Sequence, residues 1–235
     1  MRRHISLPVT RIEVDLPHRS EGADNLLTTE RNKMSKFLKS RWLWPVAGLV
    51  IGLAAIVLIS LALRPHNFSG SILQSPQPAY DFKLTSADGP LALSDLRGKV
   101  VLVFFGYTFC PDVCPTTLQE MSDVLDLIGK QADQVQPVFV SVDPDRDSPQ
   151  RLKAYMNNLD GRIVGITGEQ AVIDEIVTHY GVYYQKRTIS ESGNYLIDHT
   201  ATTFLIDPDG YLRGVYPYAT PAKGIAEDIR YILRH

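Results

Sequence analysis

The sequence predicts a mixed α/β domain that follows one membrane-spanning helix. Two patterns support this prediction: a long uncharged apolar segment lies near the N-terminus, and the remainder alternates short apolar runs with helical segments. Apolar runs that alternate with helices are typical of a sheet covered by helices on its faces. The 235 residues are enough for one globular domain with accessory segments.

The uncharged segment covers residues 42–63, WLWPVAGLVIGLAAIVLISLAL. A helix with a rise of about 1.5 Å per residue would span roughly 33 Å over this length, which is enough to cross a bilayer core. Trp42 and Trp44 lie at its start, where aromatic side chains favour the membrane interface. The residues that follow lack a small-residue cleavage site, so we expect a retained transmembrane helix rather than a cleaved signal peptide.

The charges on either side of this segment predict its orientation. Basic residues from Arg31 to Arg41 precede it, whereas Arg64 is the only formal charge between it and Asp81. Because basic flanks stay on the cytoplasmic side, we expect residues 1–41 in the cytoplasm and the C-terminal domain outside it. This predicts a single-pass protein of a bacterial inner membrane that faces the periplasm. A mitochondrial inner-membrane protein that faces the intermembrane space is the alternative.

Three accessory segments are expected outside the folded domain and the membrane helix. Residues 1–41 are polar and without periodicity, so we expect them to be disordered. Met34 opens a compact start for an anchored protein, and we hypothesise that it is the true initiator and that residues 1–33 are a mis-called extension. Residues 64–79 are polar and rich in proline, so we expect a tether, which leaves residues 80–235 as the folded domain.

Within the folded domain the apolar runs predict the strands of a thioredoxin-like, or peroxiredoxin-like, sandwich. Residues 100–105 and 135–142 are continuous apolar runs that suit buried central strands. Residues 202–207 read as another buried strand, which a tight DPDG turn joins to YLRGVY in a hairpin. Residues 195–199 are expected to form a strand at the edge of this group.

Proline marks three of the expected helix starts. At each start a capping residue precedes a proline. Proline lacks an N–H group, but in the first turn of a helix that group would have no hydrogen-bond partner. A fourth helix is expected from its apolar periodicity. The predicted helices cover residues 115–130, 149–157, 169–180 and 221–234.

The two cysteines of the chain, Cys110 and Cys114, lie in the stretch YTFCPDVCPTTLQEM. Pro115 disfavours helical dihedrals in its predecessor, so we expect Cys114 at the helix N-cap and Cys110 in the preceding loop. Both sulfurs would lie near a helix N-terminus, where the dipole and free N–H groups favour thiolate. Thiolates are both nucleophiles and soft-metal ligands, so the pair alone is compatible with redox chemistry, a structural disulfide or a metal site.

His199 favours the metal site among these alternatives. Thioredoxin-type oxidoreductases enter the strand that faces the cysteines through a cis-proline, and Ala201 stands at that position here. A cis bond before alanine costs about 3 kcal/mol, so that feature is missing. His199 lies just before it and can approach both sulfurs. Two thiolates and one imidazole suit copper or zinc, although a structural zinc site would need a fourth ligand.

Asp143 is a further candidate for this site. It lies in SVDPDRDSP, directly after the buried strand at residues 135–142, and is expected at the same rim of the sheet. There it can orient His199 or contact a partner protein. Helix capping or surface solvation explains it equally well.

The stretches GYTFCPDVCPTTLQEM, SVDPDRDSP and DHTATTFLIDPDG together closely resemble the Sco/SenC family of membrane-anchored copper chaperones. The resemblance covers residues 82–233 and implies a thioredoxin-like fold that binds copper through Cys110, Cys114 and His199. It implies Cu(I) as the bound ion, with Cu(II) left open. It also implies that the protein serves cytochrome c oxidase subunit II, by delivering copper to its dinuclear site or by reducing the cysteines there. Family members tend to have a mobile segment before the histidine strand, expected here at residues 185–194.

We therefore expect a metallochaperone rather than an enzyme, with the membrane, subunit II and other periplasmic copper carriers or thiol reductants as its partners. The formal net charge of −2 gives no reason to expect nucleic acid. The main alternative is a thiol:disulfide oxidoreductase that acts on periplasmic cysteines without carrying copper. A thiol peroxidase and a copper or redox sensor remain open as well. A disulfide between Cys110 and Cys114 would abolish Cu(I) binding.

Overall fold

The computed structural model describes residues 44–61, 66–189 and 194–235, which fall into two compact units, residues 1–65 and residues 66–235. In the first unit, helix α1 (Trp44–Leu61) is exposed along its whole described length. It is long and apolar enough to cross a membrane and is a candidate anchor, as predicted. The other residues of the predicted span, and the predicted cytoplasmic segment 1–41, lie outside the described residues.

The second unit alternates strands and helices along the chain. Its described strands are β1 (Ser71–Pro78), β2 (Lys83–Ser86), β3 (Gly89–Ala92), β4 (Val100–Gly106), β5 (Val135–Ser141), β6 (Val164–Ile166), β7 (Tyr184–Thr188), β8 (Tyr195–His199), β9 (Thr202–Ile206) and β10 (Tyr211–Pro217). Its described α-helices are α2 (Val113–Ile128), α3 (Pro149–Leu159), α4 (Gln170–His179) and α5 (Ala222–Ile232). Short 3₁₀ helices cover Leu93–Leu96 and Gly129–Gln134.

A six-stranded mixed sheet forms the centre, with strand order β1-β10-β9-β4-β5-β6. Strands β4, β5 and β6 are parallel, whereas β9 pairs with β4 in the antiparallel sense. Strand β4 lies between β5 and β9, and all of its residues are buried. This is the covered central strand that its apolar sequence predicts. The mixed α/β arrangement of the domain is therefore as predicted.

Two small sheets lie outside this central sheet. Strands β2 and β3 form one hairpin, and β7 and β8 form another, which carries His199 at the end of β8. The strand predicted at residues 195–199 is therefore confirmed. The segment expected to be mobile begins as strand β7 instead, and its residues 190–193 lie outside the described residues.

The predicted tether at residues 64–79 is wrong over Ser71–Pro78, because these residues form β1. This strand pairs with β10 at the edge of the central sheet, with Ser71 opposite Val215. Pro76 and Pro78 indicated a tether, but a proline is tolerated in an edge strand, where no second neighbour needs its N–H. The folded domain therefore begins well before residue 80.

A buried carboxylate fastens the start of this unit to α5. Asp228 is fully buried and accepts hydrogen bonds from the Ser69 backbone N–H at 2.9 Å and the Tyr216 hydroxyl at 3.1 Å. His66 Nε2 lies 2.7 Å from the same carboxylate. Because these partners lie in the segment just before β1 and in β10, Asp228 joins the start of this unit and β10 to α5.

Helix starts agree with the proline pattern to within two residues. Pro149 is the first residue of α3, and its predicted cap Ser148 accepts a hydrogen bond from the Arg151 backbone N–H at 3.2 Å. Pro221 caps α5 from one position before the helix, rather than opening it as predicted. A proline fits either position, since the first helical N–H groups have no partner within the helix.

Candidate metal centre

The two cysteines lie where β4 passes into α2. Cys110 is in the connecting loop, and Cys114 is in the first turn of α2 rather than at its N-cap, which corrects the prediction. Asp112 is the N-cap residue, and its carbonyl accepts a hydrogen bond from the Thr116 N–H at 3.1 Å. Pro115 is tolerated inside this first turn because an N–H there would have no helical partner. Both cysteines are free, with no disulfide between them.

The sulfur of Cys114 packs against the backbone of Gly106 at the end of β4. A Cβ atom at Gly106 would lie 2.7 Å from this sulfur and 2.8 Å from the Phe139 ring. Such distances are shorter than van der Waals contact, so position 106 has room only for glycine. Cys114 is consequently buried completely, whereas Cys110 is partly exposed.

His199 approaches the sulfurs from β8. Its Nε2 lies 3.4 Å from the Cys114 sulfur, and its Nδ1 lies 3.2 Å from the Thr200 carbonyl oxygen. A carbonyl can only accept, so Nδ1 donates to it, and Nε2 is the ring nitrogen directed towards the sulfurs. The rings of Phe104 and Tyr107 meet the imidazole in edge-on contacts, each with centroids 5.9 Å apart.

The structure therefore brings the three predicted ligands together. The sulfurs of Cys110 and Cys114 and a ring nitrogen of His199 all lie within 4.8 Å of one another. Bonds of about 2.0–2.3 Å to one metal ion would place three such ligands roughly 3.5–4 Å apart. A small adjustment of the side chains closes the group around one ion. Two thiolates and one imidazole form a set that suits Cu(I).

The two thiols differ strongly in acidity. The hydrogen bond from the Cys114 thiol lowers the pKa of Cys110 to about 4, against the effect of burial and with help from His199. The Cys114 backbone N–H also points at the Cys110 sulfur, 3.4 Å away. The pKa of Cys114 is raised, mainly by its hydrogen bond to Cys110 and to a smaller extent by burial. Without metal, Cys110 is the thiolate and Cys114 is the thiol that donates to it.

A cavity of about 300 Å³ opens beside the group. Tyr107 and residues 110–113 line one side of it, and residues 196–199 and Ala201 line the other. The described peptide bonds are all trans, including the bond that enters Ala201. The cavity gives an incoming ligand a path to Cys110 and His199, while Cys114 lies behind them.

Asp143 does not contact His199 through any hydrogen bond among the described residues, so a direct orienting role is wrong. It is fully buried, accepts a hydrogen bond from the Tyr195 hydroxyl at 2.7 Å and pairs with the guanidinium of Arg146. Tyr195 lies on the same strand as His199, so Asp143 holds that strand instead. Sequence reasoning missed both partners, although Arg146 stands in the same SVDPDRDSP stretch.

Comparisons with known proteins agree with this geometry. The family model described as SCO1/SenC matches residues 72–234. The SCO2-like protein of Rickettsia conorii is 33% identical over 185 residues, which cover 76% of this chain and 90% of that protein.

Solved structures extend the likeness to the fold. Apo Sco1 from Thermus thermophilus is 39% identical with a TM-score of 0.65, over 72% of this chain and 98% of that one. Copper-bound ScoI from Bradyrhizobium japonicum is 40% identical with a TM-score of 0.62, over 67% of this chain and 100% of that one. The predicted thioredoxin-like fold is confirmed. The family match over the whole folded domain, on this fold, shows that the chain belongs to the Sco/SenC family.

Proposed function

We propose that this protein binds one copper ion through Cys110, Cys114 and His199 and serves the assembly of cytochrome c oxidase. The observation that carries the proposal is the convergence of the three ligand atoms within 4.8 Å, beside an open cavity. Copper-bound ScoI, 40% identical to this chain, supports copper rather than zinc as the ion. Sco proteins bind copper and take part in the assembly of this oxidase.

Ligand exchange is the mechanism that the site favours. A three-coordinate Cu(I) ion has room for a fourth ligand, so an incoming thiolate can bind before any existing bond breaks. Cys110 and His199 line the cavity and meet this thiolate first, whereas buried Cys114 holds the ion from behind. Cu(I) keeps its oxidation state throughout, and each released cysteine sulfur takes up a proton or stays thiolate.

We propose subunit II of cytochrome c oxidase as the acceptor, either for copper or for the preparation of its cysteines. The candidate anchor α1 supports this partner, because a shared membrane raises the effective concentration of the two proteins. The basic residues between Arg31 and Arg41 support a periplasmic position of the domain in a bacterial inner membrane.

A thiol:disulfide oxidoreductase is the second candidate, and the low pKa of Cys110, about 4, favours it. The Cys110 thiolate would attack a partner disulfide and release one partner thiolate. Cys114 would then attack Cys110, release the second partner thiol and leave a Cys110–Cys114 disulfide. Two electrons pass to the partner. The buried thiol of Cys114, whose pKa is raised, makes this second attack slow.

One experiment separates the two candidates. The full-length protein in detergent micelles is loaded with Cu(I) and mixed with reduced, metal-free subunit II, and the copper content of each protein is measured after separation. We expect copper to move to subunit II. In a parallel sample, copper-free protein is mixed with oxidised subunit II. Rapid reduction there, together with copper that stays on the donor in the first sample, would replace the chaperone by the oxidoreductase.

A further inference from the structure

We propose that Arg146 positions His199 by clamping strand β8 against the cysteine loop, residues 107–112. This inference rests on the proposed copper site, to which it adds a residue that contacts neither the metal nor its ligands. The role is carried by contacts of one guanidinium group with both sides of the site.

On one side Arg146 holds β8 through Tyr195. Its Nη1 donates a hydrogen bond to the Tyr195 backbone carbonyl at 2.9 Å, and its carbon Cζ lies 3.6 Å from the centroid of the Tyr195 ring. Its Nε pairs with Asp143, whose other carboxylate oxygen accepts from the Tyr195 hydroxyl at 2.7 Å. Backbone, ring and hydroxyl of Tyr195 are thus all fixed by the Arg146–Asp143 pair.

On the other side the same guanidinium lies over the cysteine loop. Its Cζ is 4.7 Å from the ring centroid of Phe109 and 5.6 Å from that of Tyr107. Phe109 directly precedes Cys110, and Tyr107 directly follows β4. A cation over aromatic faces is attracted to both rings, so Arg146 joins the loop that carries Cys110 to the strand that carries His199.

The hairpin of β7 and β8 needs such a clamp because it pairs with no strand of the central sheet among the described residues. Two-stranded sheets are marginally stable by themselves. On its β8 edge, the Ile197 N–H donates to the Tyr107 hydroxyl at 3.1 Å, and Arg146 supplies the next attachment along that edge. Tyr195, Ile197 and His199 occupy alternate positions of β8, so fixing the first two sets the direction of the third.

Other links between the hairpin and the domain are weaker or lie elsewhere. Lys186 pairs with Asp145 at 2.6 Å, but both side chains are substantially exposed, and such ion pairs contribute little. The Tyr184 hydroxyl accepts a hydrogen bond from Gln170 at 2.7 Å, which fixes the β7 edge rather than the β8 edge. Arg146 and the Tyr107 hydroxyl are therefore the side-chain groups that bridge β8 to the loop of Cys110.

The test compares full-length wild type with Arg146→Ala, each loaded with Cu(I) in detergent micelles. We expect at least tenfold weaker Cu(I) binding in competition with a chelator. We also expect loss of the nitrogen ligand in X-ray absorption, with both sulfur ligands retained. Arg187→Ala is the matched control. Arg187 is an exposed arginine of the same hairpin, and its contact with Asp198 at 3.3 Å stays within the hairpin. It should bind copper like wild type.

A double variant separates positioning from general stability. In a His199→Ala background, Arg146→Ala should change Cu(I) affinity less than twofold, because there is no imidazole left to position. A full tenfold loss in that background would overturn the proposal. Wild type without a nitrogen ligand would instead contradict the copper site itself.

A measurement on the metal-free protein tests the Arg146 clamp independently of the proposed copper site. Amide exchange at Ile197 should accelerate at least tenfold in Arg146→Ala, and unchanged exchange would overturn the clamp whatever the copper data show. Arg146→Ala leaves the buried Asp143 without its cationic partner and can therefore fail to fold. In that case the double variant Asp143→Asn/Arg146→Ala and the single variant Tyr195→Phe replace it. Either of these must then show the faster exchange, or the proposal is wrong.

Discussion

His199 and His66 show how the surroundings of a histidine decide its role. His66 lies 2.7 Å from the carboxylate of Asp228, which also accepts from Ser69 and Tyr216, and its ring stacks on Tyr231 with centroids 4.5 Å apart. His199 faces two sulfurs beside a cavity instead. Both carboxylate oxygens of Asp228 are occupied by polar partners, whereas the two sulfurs keep lone pairs that can bind an ion. One arrangement stabilises the fold, and the other is suited to exchange.

Among the variants that test this comparison, removal of a sulfur should have the largest effect, which is the loss of Cu(I) binding. Cys110→Ser and Cys114→Ser should each lose stoichiometric Cu(I) binding, because a hydroxyl is a hard, protonated group that Cu(I) disfavours. Copper analysis after gel filtration measures the outcome. His179→Ala is a suitable control, since His179 is exposed and stacks on Tyr80 away from the sulfurs. Full copper content in either serine variant would contradict the ligand assignment.

Asp228→Asn should lower the stability of the fold and leave copper binding unchanged, which is the opposite of what we expect for the cysteine variants. The amide cannot accept from Ser69, Tyr216 and His66 as the carboxylate does, so we expect a loss of about 2–4 kcal/mol in the free energy of unfolding. Cu(I) affinity should not change. Urea unfolding of the metal-free protein measures the first effect, and chelator competition measures the second. Glu227→Gln, at an exposed neighbouring position, should leave both quantities unaltered.

Gly106→Ala should affect both properties, because its Cβ would lie 2.7 Å from the Cys114 sulfur and 2.8 Å from Phe139. We expect a destabilisation of about 1–3 kcal/mol from overpacking. Displacement of the sulfur should also weaken Cu(I) binding. Urea unfolding measures the stability, and chelator competition measures the Cu(I) affinity. If both equal the wild-type values, the Cys114 sulfur packs less tightly than the structure indicates.

The smallest expected effect concerns reactivity within the sulfur pair. The pKa of Cys110 is lowered to about 4, so this sulfur is a thiolate at pH 6 and becomes protonated only as the pH falls through 4. Metal-free protein should therefore be alkylated by iodoacetamide at Cys110 about tenfold faster than at buried Cys114. Mass spectrometry of peptides at pH 4 to 8 measures both rates. Equal rates at the two cysteines would contradict the assigned thiolate.

Much of this could be read from the sequence because the signals are local. The apolar run of β4 marks a covered strand, and the pair Cys110 and Cys114 at the start of a helix marks a site at its N-terminus. His199 was found through the alanine that stands where a proline is usual. Each of these inferences needs only neighbouring residues and the topology of the fold.

The errors and omissions depend on contacts between distant segments. The prolines of β1 suggest a loop until the strand is known to lie at an edge of the sheet. Asp143 was predicted at the rim of the site, but its pairing with Arg146 and Tyr195 follows from how the β7–β8 hairpin folds back onto the cysteine loop. The sequence contains no local pattern that predicts this docking.

The cavity beside the sulfurs sets a geometric condition on any acceptor. Its volume of about 300 Å³ equals that of roughly ten water molecules, and the innermost sulfur belongs to a residue with no exposed surface. Cys110 and His199, which are partly exposed, are the ligand residues that a recipient can reach through this cavity. A recipient of copper would therefore have to fit a donor atom into this cavity, so its shape would matter before any difference in binding strength does.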